Sequence, residues 1–145
     1  MQFSLRSNFD RISHHDAHVT NIATHNDRLE LSFDWGYIES FDSIGNIVIG
    51  DNTLILNAVT DQRFYRWEDS GRVEIQKPVI FESLISLVSQ CTFVETGSGI
   101  IFTLGGLLEP PIDDYYVEWE ISCKSAELKW DKYITHAEWE SGAIP

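Results

Sequence analysis

A chain of 145 residues with 43% hydrophobic and 12% aromatic side chains can bury one core without metal or disulfide staples, which excludes wholesale disorder. The 23 Asp and Glu outnumber the 10 Lys and Arg, and the formal net charge of -13 repels nucleic acid and anionic membranes while attracting basic proteins. No apolar run approaches the roughly 20 residues of a spanning helix, and Met1-Gln2-Phe3-Ser4-Leu5-Arg6 lacks the basic head and apolar core of a secretory signal, so a cytoplasmic location is expected.

In chain order, the first strand is expected over Ala17–Thr24, and His25-Asn26-Asp27 supplies a turn in which Asn and Asp tolerate positive φ. From Arg28 to Trp35, Leu29, Leu31, Phe33 and Trp35 share one face and Arg28, Glu30, Ser32 and Asp34 the other, the mark of a half-buried antiparallel strand. Runs rich in β-branched and aromatic residues predict strands at Ile44–Ile49, Thr53–Thr60, Arg63–Trp67 and Arg72–Gln76, with Glu68-Asp69-Ser70-Gly71 turning between the last two.

The period then changes. In Pro78–Cys91, Ile80, Leu84, Leu87, Val88 and Cys91 fall at helical spacing, which predicts an amphipathic helix packed on the sheet. Strands resume at Thr92–Glu95 and Ile100–Leu104 around a Gly97-Ser98-Gly99 turn. They continue at Tyr115–Cys123, where Val117, Trp119, Ile121 and Cys123 oppose Tyr116, Glu118 and Glu120, and at Ala126–Trp130, with Lys124-Ser125 a candidate bulge. Ala126, Trp130, Tyr133, Ile134 and Ala137 fit a helical stripe as well, but a strand followed by irregular chain is the favoured reading of the tail. With no linker or repeat, residues 1–145 read as a single, mainly β (α+β) domain: an antiparallel sheet or β-sandwich carrying one amphipathic helix.

Chemistry is sparse. In an extended strand His14, Asp16 and His18 would project from one face about 7 Å apart, as zinc ligands can, but His25 and His136 stand alone, and a solvated strand entry is the favoured reading of the cluster. Paired carboxylates such as Glu118 and Glu120 sit on a polar strand face, where solvation keeps them ordinary anions rather than an acid and base with separated pKa values. Cys91 and Cys123 have no neighbouring histidine and no second pair, so free buried thiols are expected. Gly97-Ser98-Gly99 and Gly105-Gly106 lack the context of a phosphate loop or dinucleotide fingerprint. No catalytic, metal or cofactor residue is assigned.

The sharpest local signal is residues 109–120, with five carboxylates, no base and interleaved aromatics. Acids beside Tyr and Trp suit the covering of an arginine- and lysine-rich surface. Asp113, Asp114, Tyr116, Glu118 and Glu120 are therefore the expected partner-binding residues, with Trp139 of Glu138-Trp139-Glu140 as a further anchor.

His15-Asp16-Ala17-His18-Val19-Thr20-Asn21-Ile22, followed by Asp27 through Gly36, resembles the opening of small bacterial immunity proteins that neutralise polymorphic and contact-dependent growth-inhibition toxins. The resemblance implies a cytosolic, non-catalytic protein that binds one cognate toxin domain, often a nuclease. Two rival readings stand beside it. One is a β-sandwich module binding a small molecule or carbohydrate on exposed aromatics, and the other a metal-dependent hydrolase built on His14–His18.

Overall fold

The computed structural model describes residues 2–76, 85–108 and 116–145. Its strands form three antiparallel sheets. In spatial order the first contains β1 (Phe3–Leu5), β13 (Ser125–Trp130), β7 (Asn52–Asn57), β4 (Arg28–Phe33) and β3 (Val19–His25). The second contains β14 (Tyr133–Thr135), β6 (Gly45–Ile49), β5 (Gly36–Phe41) and β2 (Ile12–Ser13). The third contains β10 (Ile85–Thr96), β11 (Gly99–Leu108), β12 (Tyr116–Cys123), β8 (Asp61–Glu68) and β9 (Gly71–Ile75).

Alternation decides which face each strand buries. Leu29, Leu31 and Phe33 of β4 point inward, as do Val117, Trp119, Ile121 and Cys123 of β12. One cluster of buried side chains joins Leu31, Phe33 and Trp130 of the first sheet to Ile38 and Ile49 of the second and Phe102 and Trp119 of the third. Burying each such side chain contributes roughly 1.5–3 kcal/mol, so the three sheets share the source of their stability.

The three expected hairpins form. His25 pairs with Arg28 across a turn in which Asn26 takes φ 56, Glu68 pairs with Gly71, and Thr96 pairs with Gly99. Gly99 is required there: a Cβ would stand 2.3 Å from the Cys123 carbonyl oxygen.

Over residues 85–91 the expected helix gives way to a strand. Residues 78–84 of Pro78–Cys91 lie outside the described residues, and Ile85–Cys91 belong to β10. That strand pairs with β11 but slips register between Ile85 and Leu87 and again between Val88 and Gln90. Such slips go with departures from strict period-two alternation, and in sequence Leu87, Val88 and Cys91 show one. Long antiparallel pairing overrides the local preference.

The described helix is α1 (His136–Glu140), in the tail expected to be irregular. Thr135 opens it with a capping box: its hydroxyl accepts from the Glu138 N–H, and the Glu138 carboxylate accepts from the Thr135 N–H. Lys124 is no bulge but the corner at which the chain leaves the third sheet for the first, its N–H donating to the Asn57 carbonyl.

Candidate functional site

The expected interface residues do not form one patch. Asp113 and Asp114 lie outside the described residues. Tyr116, Glu118 and Glu120 share one face of β12, and Trp139 sits on α1. Glu118 is not the solvated carboxylate expected of a polar strand face, since only 6% of it is exposed. Antiparallel register explains this: Glu118 faces Tyr65 on β8, and Trp67 of β8 faces Arg72 of β9. The Trp67 indole N–H donates to Glu118 at 2.7 Å and the Arg72 guanidinium donates to it at 3.2 Å. Arg72 also reaches Glu120 at 3.4 Å and lies 3.7 Å over the Tyr65 ring. Tyr116 packs its hydroxyl into the space left by Gly105, where a Cβ would stand 2.1 Å away. This face is an internally satisfied network, and its carboxylates already have a cation.

Other arginines are spent likewise, Arg63 on Asp61, Arg66 on Glu68 and Arg28 on Glu30. A group of acids lies at the corner between the first and second sheets. Three times the chain crosses that corner in two residues: Asp34-Trp35 from β4 to β5, Gly50-Asp51 from β6 to β7, and Asp131-Lys132 from β13 to β14. Register aligns these connectors. Phe33 and Trp130 both pair with Asn52 on one side, and Gly36 and Tyr133 both pair with Ile49 on the other. The Gly50 N–H donates to the Lys132 carbonyl at 3.0 Å and ties two of them together.

The result is a groove of about 580 Å³ into which Asp34, Asp51, Asp131 and Lys132 project beside Trp35 and Trp139, with Val48 and Ile144 as apolar wall. Asp34 is held by His18, whose backbone N–H donates at 2.7 Å and whose ring Nδ1 lies 2.9 Å from the second carboxylate oxygen. Neither Asp51 nor Asp131 makes an ion pair among the described residues. Trp139 is 47% exposed. Of the expected contact residues that are described, it alone reaches this groove.

Behind the groove lies His14, fully buried and stacked on Phe33 at 4.0 Å between ring centroids. Asn52 donates its Nδ2 to the Gly50 carbonyl at 2.9 Å, which orients the Asn52 oxygen toward His14 Nε2 at 2.8 Å. Nε2 therefore carries the proton, and Nδ1 is left buried without a partner. Burial lowers the His14 pKa to about 4, against the upward pull of the Asn52 hydrogen bond and the Asp34 charge. A neutral histidine thus buttresses the Gly50-Asp51 connector.

The extended His14–His18 face expected from sequence is absent, because β2 ends at Ser13 and a turn follows in which Ala17 donates to the His14 carbonyl and Asp16 takes φ 66. His14 turns inward to Asn52, Asp16 is exposed and His18 turns to Asp34, so the three do not converge. Among the described residues no group of three or more His, Cys, Asp or Glu has metal-binding spacing. Both cysteines are free thiols, and burial raises their pKa values, that of Cys123 to about 11, which keeps the weakly nucleophilic protonated form.

Fold and groove together define an antiparallel three-sheet β protein with an acidic, indole-lined corner. No protein-family model matches the chain, and neither does any curated protein. Asp34, Trp35, Asp51 and Asp131 were not among the residues expected from sequence. Their signal is Phe33-Asp34-Trp35-Gly36, Ile49-Gly50-Asp51-Asn52 and Trp130-Asp131-Lys132-Tyr133, in which an Asp interrupts each of three apolar strand ends.

Proposed function

We propose that this protein is a non-catalytic, cytoplasmic immunity protein that captures a basic toxin domain in its acidic corner. The observation that carries the proposal is the groove in which Asp34, Asp51 and Asp131 face one lysine, Lys132, beside two indoles. Arg63, Arg66 and Arg72 are already paired with neighbouring acids, whereas Asp51 and Asp131 make no ion pair among the described residues, so the corner keeps carboxylates available to a partner of this acidic chain. Carboxylates steer a basic protein and accept charge-assisted hydrogen bonds, while tryptophan supplies rigid contact area. Against a nuclease, the same carboxylates stand where substrate phosphates would lie. The resemblance of His15–Ile22 and Asp27–Gly36 to toxin-neutralising proteins agrees with this reading.

The test is calorimetric titration of the protein with a purified basic toxin domain at low and at physiological salt. Binding that weakens as salt rises, and that weakens further in a D34N/D51N/D131N variant, supports the proposal. Salt-independent binding, or none, overturns it.

The two indoles also favour a second reading. A concavity of about 580 Å³ falls within the range of small-ligand sites, roughly 300–1,000 Å³, and paired tryptophans stack on sugar rings. That reading predicts thermal stabilisation by a neutral saccharide, unchanged by salt.

A further inference from the structure

The groove at the corner is mixed in a way that selects among cations. We infer that it receives a single arginine side chain of the basic partner, its guanidinium stacking on Trp35 and Trp139 and donating to Asp51 and Asp131. This rests on the reading of the protein as a binder of a basic partner, and it names what that partner inserts.

Three features point to arginine. Asp51 and Asp131 lie on connectors joined by the Gly50–Lys132 backbone hydrogen bond, so the backbone that carries both is held together before any ligand arrives. Neither is neutralised by a base among the described residues. A planar, forked donor suits two carboxylates lining one groove better than the compact, strongly hydrated ammonium of lysine. Indole is also the best ring for a cation, and Trp139, 47% exposed on the capped helix α1, presents one at the groove. Finally, Val48 and Ile144 give the aliphatic stem of an arginine an apolar wall to lie on. A bare metal ion does not fit, because the described residues hold no ligand group with metal spacing. Lys132 is the internal competitor: it lines the same groove and adds a positive charge that an incoming cation must tolerate.

The experiment uses two short, otherwise uncharged glycine–serine peptides, one with a central arginine and one with citrulline, its neutral isostere. Each is titrated at low salt while tryptophan fluorescence and the indole N–H resonances are followed. The expected result is saturable perturbation of the Trp35 and Trp139 resonances by the arginine peptide, with the citrulline peptide at least about tenfold weaker. Asp51→Asn/Asp131→Asn lowers arginine-peptide affinity about tenfold, and Lys132→Ala raises it about twofold. A purely structural role for these residues predicts no gain from Lys132→Ala. Should the double Asn variant lose its fold, judged by its unfolding midpoint, Trp139→Ala replaces it, with the same expected loss of affinity. Equal binding of both peptides overturns the inference, as does a response that the substitutions leave unchanged. If neither peptide binds but a basic toxin domain still does, the arginine receptacle is wrong and the proposed function stands. If the toxin domain fails as well, both fall.

Discussion

Acidification from pH 7.5 to pH 5 should cost the folded state about 2 kcal/mol through His14 alone. The ring is fully buried, its Nε2–H is committed to Asn52, and a proton added at Nδ1 would be a buried donor with nothing to bond. These surroundings lower its pKa from 6.5 to about 4. As pH falls below about 6.5 the unfolded chain takes up this proton while the folded chain refuses it until about pH 4. Stability is therefore complete above that window and declines through it. At about 1.4 kcal/mol per pKa unit the full difference is about 3 kcal/mol, of which roughly 2 is lost by pH 5. The assay is urea unfolding of the wild type and of His14→Gln at both pH values. Glutamine can still donate to the Asn52 oxygen but does not titrate, so the wild type should lose about 2 kcal/mol more than the variant over the same interval. An equal loss in both proteins would refute the buried, neutral His14 and with it the buttress behind Asp51.

Arg72→Ala leaves Glu118 with the Trp67 indole as its one remaining side-chain donor among the described residues on a nearly closed face, and should destabilise by about 1–3 kcal/mol in urea unfolding, with Arg72→Lys intermediate. Gly99→Ala sets a Cβ 2.3 Å from the Cys123 carbonyl oxygen, so the β10–β11 hairpin must shift, and a loss of at least about 2 kcal/mol is expected as a lowered melting temperature. A neutral melting curve would mean that the hairpin does not lie against Cys123. The Cys123 thiol, with its pKa raised to about 11, should react with a thiol reagent at pH 8 only as fast as the protein unfolds, and prompt labelling of the native state would contradict its burial.

The strands were legible where alternation was clean. Arg28–Phe33 and Tyr116–Cys123 bury the side chains that the period-two pattern assigns to the core, and the turns at Asn26-Asp27, Asp69-Ser70 and Gly97-Ser98 lie where their residues place them. What defeated the pattern was non-local. Over residues 85–91, pairing of β10 with β11, twice slipped in register, makes a strand of a stretch whose apolar spacing reads as helical. Trp35 continues the Leu29–Phe33 face in sequence but leaves the strand, because the chain turns there into a second sheet. Glu118 reads as a surface acid until β8 and β9 bring Trp67 and Arg72 over it. The corner was hidden for the same reason. Asp34, Asp51 and Asp131 are far apart in sequence and meet only because the pairings of Asn52 and Ile49 align three two-residue connectors. The capping box Thr135-His136-Ala137-Glu138, by contrast, was readable in the sequence and marks the helix that carries Trp139.

The five tryptophans make the central claim directly measurable, since they divide among the groove, the third sheet and the core. Trp35 and Trp139 line the groove, Trp67 caps Glu118 on the third sheet, and Trp119 and Trp130 are buried. In a nitrogen–proton correlation spectrum at low salt, adding a basic toxin domain should shift the indole signals of Trp35 and Trp139 and leave the other three in place. Movement of Trp67 alone would put the interface on the face of Tyr116, Glu118 and Glu120, and no movement of Trp35 or Trp139 would contradict the acidic corner as the binding site.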